Sequence, residues 1–308
     1  MNQRYFKIAY LCASACLTMA ACTPSHDDEP PVAPQEPTAP PVTSQFGLER
    51  QDVLDYFSNA LKGTTDPFDT AEAIAPEDID KAQAYVWDLW ATSVRRAQGE
   101  KLPTLSSHYK LDNWDDITTP DAIWKVPEGN MNIFYGSKDT RPADGYPLFL
   151  FLHGSSSDAQ GDWTACLYWT QTFSDGPSAY FIPKSPQGGT GTRWFQPSKQ
   201  EKWEQLLRQA LVSDKINPNK IYFAGISEGA YGSQMLASFY ADYLAGAGPI
   251  AGGQLLSDCP PENLANVAFS LQTGELDTNY GRNLLTQKVN DQLNDLQAAH
   301  PGYYTHLV

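Results

Sequence analysis

The sequence predicts an α/β fold, a mostly parallel sheet with helices on both faces and a helical segment ahead of it. Hydrophobic residues make up 41% of the 308 residues, enough for a substantial core. The run Tyr146–Leu152 is apolar throughout, as expected of a strand buried on both faces of a parallel sheet. After this run, short apolar stretches alternate with stretches of helical spacing, and this alternation is typical of such sheets.

The predicted elements follow one another from residue 76. A helix begins at Pro76, keeps its apolar residues at helical spacing and ends at Gly99. A capping box at 198–201 predicts the start of a second helix. Further helices are predicted at 229–243 and around 285–296, and strands at 122–126, 131–135, 146–152, 179–182, 220–224, 248–251, 267–272 and 303–308.

The N-terminus predicts an exported protein. Basic residues precede an apolar run at 8–21 that is too short to cross a bilayer, so residues 1–21 read as a signal peptide. The run ends at Cys22 in an arrangement that resembles the bacterial lipobox, which implies a lipid on that cysteine; an ordinary signal peptide is the alternative. Residues 22–45 are rich in proline and predict an extended tether. The acidic cluster at 27–29 resembles the signal that sends some lipoproteins to the outer face of the outer membrane, which implies display at the cell surface; a merely solvated tether is the alternative.

Charge and cysteine content exclude two classes of protein. Asp and Glu number 36 against 21 Lys and Arg, and the formal net charge of −15 argues against nucleic acid as a partner. The five cysteines show no paired CxxC spacing, so no metal site is expected. Cys166 and Cys259 either pair with each other or remain buried thiols.

One pentapeptide carries most of the chemical prediction. Residues 225–229 read Gly-Ile-Ser-Glu-Gly and lie between a predicted strand and a predicted helix. In this context G-x-S-x-G is typical of a nucleophile elbow, a strained turn that exposes a serine at the carboxyl edge of the sheet. Ser227 is therefore the candidate nucleophile, and a serine in an ordinary tight turn is the alternative.

A second motif directly follows the strand Tyr146–Leu152. Residues 153–157 read His-Gly-Ser-Ser-Ser, and with the elbow they make the chain resemble the α/β-hydrolase superfamily, especially secreted esterases of the polyhydroxybutyrate-depolymerase and feruloyl-esterase type. The resemblance covers about residues 120–308 and implies an α/β-hydrolase fold, a serine esterase and no cofactor. It implies that the N–H groups of Glu228 and of Ser155 or Ser156 form an oxyanion hole. His153 is expected to brace the loop.

The same resemblance implies the rest of a catalytic triad. Asp277 matches the position of the acid, and Glu275 is the alternative. A serine esterase also needs a histidine as its base. In the family that histidine follows the last strand, so we expect it beyond Val308, which would leave 121–308 as a hydrolase domain without its C-terminal end. His306 is the alternative base.

The substrate is expected to be an ester that is carbohydrate-linked or polymeric. Trp163, Trp194 and Phe195 lie near the predicted sheet edge, where aromatic faces stack on sugars or aryl groups; core packing is the alternative. Residues 46–120 form a helical layer or a cap over the site. Two other functions remain open, a catalytically inactive glycan-binding surface lipoprotein and a serine peptidase of the prolyl-oligopeptidase type. Residues 46–120 are too short for the β-propeller that such a peptidase usually carries.

Overall fold

A computed structural model describes residues 44–64, 73–106, 120–188 and 193–308. These residues belong to one compact unit, Thr43–Val308. The predicted signal peptide, Cys22 and nearly all of the predicted tether lie outside the described residues, so their assignments stay predictions.

Ten strands are described, and eight of them form one sheet. β1 (Ser44–Gln45) and β2 (Leu48–Glu49) pair with each other as a short antiparallel hairpin. The sheet order is β10-β9-β8-β7-β5-β6-β4-β3. Its strands are β3 (Ala122–Val126), β4 (Gly129–Lys138), β5 (Tyr146–Leu152), β6 (Ser178–Lys184), β7 (Ile216–Ile226), β8 (Gly246–Ile250), β9 (Ala268–Ser270) and β10 (His306–Leu307). Within this sheet β4 pairs antiparallel with both β3 and β6, and the other five pairs are parallel, which confirms the predicted mostly parallel sheet.

Six α-helices accompany the strands in the described part of the chain. They are α1 (Arg50–Ala60), α2 (Ile79–Arg96), α3 (Ala159–Thr172), α4 (Pro197–Leu211), α5 (Glu228–Phe239) and α6 (Arg282–Ala299). α3 packs with Phe151 in one apolar cluster, while α4, α5 and α6 pack with the neighbouring Leu150 and Leu152 in another. Because successive strand residues point to opposite faces, helices cover both faces of the sheet, as predicted.

The helices α1 and α2 form the N-terminal helical segment. They pack on each other through the buried side chains of Val53, Leu54 and Leu89. α2 contacts α4, and Arg95 Nη2 donates to the Val212 carbonyl oxygen at 3.2 Å. The segment therefore lies as a layer outside α4. In the described ranges, no helix has the length and apolarity needed to cross a membrane.

Two local predictions fail. The capping box at 198–201 is wrong: the N-cap of α4 is Gln196, and the Ser198 hydroxyl donates instead to Glu128 Oε1. The sequence reading also missed α3, whose buried residues at 163, 166, 167 and 170 follow helical spacing and whose N-cap Asp158 accepts from Gly161 N. By contrast, the predicted strand Tyr146–Leu152 has the observed bounds of β5.

Candidate functional site

Ser227 lies in a strained turn between the end of β7 and the start of α5. Its φ and ψ of 53° and −117° are uncommon for a residue with a side chain. Three hydrogen bonds hold the turn: Ser227 N donates to Ile250 O at 3.0 Å, and Ser227 O accepts from Ala230 N and Tyr231 N at 2.9 and 3.1 Å. The side chain is partly exposed. The surrounding backbone therefore fixes the hydroxyl at the carboxyl edge of the sheet.

Gly225 and Gly229 must both be glycine, because neighbouring backbone atoms lie where a Cβ would be. A Cβ on Gly225 would lie 2.4 Å from Gly229 O and 2.8 Å from Leu152 O. A Cβ on Gly229 would lie only 1.9 Å from Leu152 O and 2.8 Å from His153 O. These neighbours are backbone atoms, which cannot rotate away. The pattern at 225–229 is therefore a steric requirement of this strand–helix crossing.

The second motif meets the elbow because β5 and β7 are parallel neighbours. Leu152 pairs with Gly225, so the loop after β5 begins beside the turn after β7. A Cβ on Gly154 would lie 3.5 Å from Ser227 Cβ, which places the loop next to the candidate nucleophile. Sequence reasoning thus correctly expected the two motifs at one edge of the sheet.

Two of the three predicted oxyanion donors are available. Ser155 N donates to no protein acceptor in the described part of the chain. Glu228 N belongs to the first residue of α5 and so has no acceptor within the helix. Ser156 N, by contrast, donates to Asp162 Oδ2 at 2.7 Å. The structure therefore favours Ser155 over Ser156 as the second donor, because the Asp162 carboxylate already occupies the Ser156 amide.

His153 braces the loop from beneath and stays neutral. Its ring is fully buried, Nε2 accepts from Ser185 N at 2.9 Å, and Nδ1 donates to Gly154 O at 2.6 Å. The Ser185 donor leaves Nε2 without a proton, which fixes the tautomer. Burial lowers the pKa of His153 to about 4. The ring also packs edge-on against Trp194, with centroids 4.9 Å apart.

The side chain of Glu228 is buried beside the elbow and paired. Arg193 Nη1 lies 3.3 and 3.4 Å from its two carboxylate oxygens. Burial raises the pKa of Glu228, and the positive charge of Arg193 opposes that rise. Glu228 therefore offers its backbone N–H to the site while Arg193 holds its carboxylate.

Asp277 lies near Ser227, and the guanidinium of Arg282 lies between the two side chains. Arg282 Nη1 lies 3.3 Å from Asp277 Oδ2, and Arg282 Nη2 lies 3.3 Å from Ser227 Oγ. Asp277 is partly buried, whereas Glu275, the alternative acid, is exposed. The structure thus brings Ser227 and Asp277 to one site and places a guanidinium between them.

Arg282 was not among the residues predicted from the sequence. Its Nε donates to the Tyr231 hydroxyl at 3.1 Å, and its guanidinium lies 5.6 Å from the Tyr231 ring centre and 5.4 Å from that of Tyr280. Burial lowers the pKa of Arg282, but the hydrogen bonds to Tyr231 and Asp277 raise it. The two hydrogen-bond partners together outweigh burial, so the net shift of the pKa is upward. The group remains a cation. No periodicity or motif marks it, since only the fold brings it to Ser227.

His306 is not brought to the site. It lies on β10, and in the sheet order β9 and β8 separate that strand from β7. Its Nδ1 lies 2.7 Å from Tyr304 O and its Nε2 lies 3.2 Å from Asn294 Oδ1, so the ring faces α6. The alternative in which His306 acts as the base therefore disagrees with the structure. In the described part of the chain, the ring nitrogens of His153 and His306 bond to partners other than Ser227 and Asp277.

The aromatic residues predicted to bind substrate are mostly core. Trp163 is buried and donates from Nε1 to Ile182 O at 2.9 Å, which corrects its assignment. Trp194 is likewise buried and donates to His153 O at 2.9 Å. Phe195 is half-buried and packs against the main core cluster. Trp163 and Trp194 are therefore core residues, because protein covers both faces of their rings.

The two cysteines left open by the sequence are separate, buried thiols. Cys166 lies on α3, and Cys259 Sγ donates to Gln234 O at 2.9 Å. Burial raises the pKa of Cys259 to about 12 and that of Cys166 further still. Across the described ranges, no cluster of His, Cys, Asp or Glu could hold a metal ion.

The sheet, the elbow and the adjacent loop together define an α/β-hydrolase fold. The chain is similar to poly(3-hydroxyalkanoate) depolymerase C of Paucimonas lemoignei, with 30% identity over 139 residues, 41% of this chain and 32% of that protein. The match thus spans about a third of the relative's length. It confirms the resemblance to depolymerase-type esterases that the two motifs indicated.

Solved structures with similar folds include a thermostable esterase, with 23% identity and a TM-score of 0.46 over 57% of this chain and 51% of that one. Another is FphF, a fluorophosphonate-binding serine hydrolase of Staphylococcus aureus, with 13% identity and a TM-score of 0.40 over 58% of this chain and 85% of that one. No protein-family model matches the chain. The fold assignment rests on the chain's own sheet and elbow.

Proposed function

We propose that this protein is a serine hydrolase that cleaves carboxylic esters, with Ser227 as the nucleophile. The observation that carries the proposal is the strained Ser227 backbone beside Gly154, with two backbone N–H groups available at the same edge. A turn held in a costly conformation by its surroundings is typical of a functional site. The relative's name, a depolymerase, supports ester hydrolysis.

The reaction would run through a covalent acyl-enzyme. Ser227 Oγ attacks the ester carbonyl carbon, and the carbonyl oxygen becomes an oxyanion that accepts from Glu228 N and Ser155 N. Removing one such donor costs about 3–4 kcal/mol of transition-state stabilisation in serine hydrolases. Collapse of the tetrahedral species expels the alcohol, and water then releases the acid from Ser227.

Asp277 is the proposed acid of the site. In a Ser-His-Asp mechanism an imidazole accepts the serine proton and the carboxylate orients that imidazole. A histidine in this role would have to take the position between Ser227 and Asp277 that the Arg282 guanidinium occupies. The Ser-His-Asp mechanism expected from the sequence therefore stays a proposal.

The proposed substrate is a polymeric or carbohydrate-linked ester. The relative acts, by its name, on a poly(3-hydroxyalkanoate), which favours a polymeric ester. Release of soluble acids from a polyester suspension would be compared with release of acetate or ferulate from plant polysaccharide. The polymer preference predicts the first, and activity on the polysaccharide alone would contradict it.

The test of the activity uses p-nitrophenyl acetate and a fluorophosphonate probe. Wild-type protein is expected to turn over the ester and to take up the probe, and Ser227→Ala is expected to do neither. Ser257→Ala, which removes an exposed loop hydroxyl, is the matched control and should behave as wild type. Equal turnover in wild type and Ser227→Ala would remove the proposal.

The proposed location is the outer membrane, through a lipid on Cys22. The sequence at residues 1–22 supports this proposal, with the proline-rich tether after it. Cys22→Ser should abolish metabolic incorporation of a labelled fatty acid and release the protein from the membrane fraction. Unchanged fatty-acid labelling in Cys22→Ser would contradict the lipid anchor.

A catalytically inactive glycan-binding lipoprotein is the second candidate. Arg282 favours it, since a guanidinium stands where a base would be needed. Affinity for a polysaccharide without turnover or probe labelling would select this candidate. The peptidase alternative is tested in the same assay with a proline-containing peptide anilide.

A further inference from the structure

Arg282 lies where a general base would have to lie. Its Nη1 and Nη2 reach Asp277 Oδ2 and Ser227 Oγ, each at 3.3 Å, and its side chain is 13% exposed. A guanidinium carries only donors and does not lose its proton in proteins, so it cannot accept the serine proton. Any contribution of Arg282 to the reaction must therefore be electrostatic.

A cation at this distance favours the ionised form of the serine. An opposite charge within about 4–6 Å typically lowers the pKa of an acid by about 1–3 units. Arg282 Nη2 donates directly to Oγ, and a hydrogen bond from a charged donor is stronger when the acceptor is charged as well. The hydrogen bond from Arg282 therefore stabilises the alkoxide form of Ser227 more than the hydroxyl form.

The guanidinium is fixed before substrate arrives. Tyr231 on α5 accepts from Nε at 3.1 Å, and the ring centres of Tyr231 and Tyr280 lie 5.6 and 5.4 Å from the guanidinium carbon. Asp277 anchors the remaining end. Two segments, α5 and the stretch 277–280 just before α6, thus hold one cation on Ser227, which limits the reorganisation that alkoxide formation requires.

The other charged and titratable groups at the site decide the size of the effect. Asp277 partly neutralises Arg282, and the buried Glu228 carboxylate beside Ser227 is paired with Arg193. The phenols of Tyr231 and Tyr280 complete the surroundings of Arg282. Because the two carboxylates face two arginines, we expect the lower part of the range above, about a 10- to 100-fold gain in alkoxide.

We propose that Arg282 activates Ser227 in this chain by stabilising its alkoxide, with hydroxide from solvent removing the proton. This inference rests on the proposed esterase function and deepens it. Hydroxide takes the Oγ proton and becomes water, and the alkoxide forms a bond to the carbonyl carbon. The bond to the leaving alkoxide then breaks, and that alkoxide takes a proton from water and regenerates hydroxide. A second hydroxide attacks the acyl-enzyme and releases a carboxylate and the Ser227 hydroxyl.

The pH dependence distinguishes this mechanism from one based on histidine. Because no imidazole takes part in the proposed mechanism, kcat/KM for p-nitrophenyl acetate should rise about tenfold per pH unit from pH 6 to 9, with no inflection near the ordinary histidine pKa of about 6.5. Arg282→Ala should lower kcat/KM by about 10- to 100-fold at each pH, and Arg282→Lys should keep part of the activity because it keeps a cation. Arg141→Ala, which removes an exposed arginine bonded to Asp214 O, is the matched control.

Chemical rescue separates charge from structure. Guanidinium chloride at non-denaturing concentration should restore kcat in Arg282→Ala, whereas urea, similar in shape but neutral, should not. The thermal midpoints of all variants are measured alongside. Rescue by guanidinium alone, with the log-linear pH profile, supports the inference.

Three results, each together with an inactive Ser227→Ala, overturn the inference while leaving the esterase intact. They are an inflection near pH 6.5 in the wild type, unchanged kcat/KM in Arg282→Ala, and equal rescue of Arg282→Ala by urea and guanidinium. Wild-type turnover in Ser227→Ala would instead remove the esterase proposal itself, and the role of Arg282 with it.

Discussion

Gly229→Ala tests whether steric contact at the elbow sets the geometry of the site. The added Cβ would lie 1.9 Å from Leu152 O, 2.5 Å from Leu152 C and 2.8 Å from His153 O, all backbone atoms. Overpacking of this kind costs about 1–3 kcal/mol, and a clash with backbone belongs at the upper end. Alanine regains about 1 kcal/mol of helix propensity over glycine. The net loss should therefore be about 2 kcal/mol, a fall of roughly 4–8 °C in Tm.

Gly229→Ala should lose most of its activity although it remains folded. The clash displaces β5 and the start of the 153–157 loop from Ser227, and a misplacement of 1 Å at a reacting group can cost about 100-fold in rate. Thermal unfolding by circular dichroism and the rate of fluorophosphonate labelling measure the two effects. Gly248→Ala is the matched control, because its Cβ would meet Ala224 Cβ at an ordinary 3.8 Å. An unchanged Tm and labelling rate in Gly229→Ala would refute the reasoning.

Three further predictions concern residues around the elbow. The pKa of His153 is lowered to about 4. Its neutral form therefore contributes stability that is present above about pH 6.5 and is lost progressively as the pH falls towards 4, by roughly 3 kcal/mol. Urea titrations should show that the wild type loses more free energy of unfolding over this pH range than His153→Gln, by about this amount. His306→Gln should leave probe labelling unchanged, because the ring faces α6, and a lost signal would place His306 back in the mechanism. Trp194→Ala should cost roughly 3–5 kcal/mol of stability as a buried aromatic, and a stable variant with only a raised KM would instead indicate a substrate contact.

Local sequence patterns were sufficient to predict the turn at 225–229. The glycines at 225 and 229 and the strand before them are neighbours in the chain, and the constraint on them is a contact between consecutive elements. The bounds of β5 could also be predicted, because a strand buried on both faces is apolar throughout, so the apolar run and the strand begin and end at the same residues. The fold class and the position of the nucleophile follow from these two segments.

Tertiary partners explain the local failures. Ser198 has the sequence context of a helix cap, yet its hydroxyl bonds to Glu128, 70 residues earlier in the chain. Trp163 and Trp194 could not be assigned from sequence, because a stacking platform and a packed core both need large aromatic rings. Only the packing shows that both rings are covered.

Arg282 could not be predicted for the same reason. It lies 55 residues after Ser227, and it reaches the hydroxyl because α6 begins at the carboxyl edge of the sheet, beside the loop that carries Asp277. The sequence alone pointed to a histidine at this place through family resemblance. The structure instead shows a cation there, so the group that removes the proton of Ser227 is the open point of the mechanism.

The central claim is that Ser227 becomes covalently acylated during ester hydrolysis. The most direct measurement is mass spectrometry of protein quenched during turnover of p-nitrophenyl acetate, followed by peptide mapping. An acetyl group on the peptide that contains Ser227, absent from Ser227→Ala, is the expected result. Turnover with no acyl group on that peptide, or with acetylation at another residue that persists in Ser227→Ala, would contradict the claim.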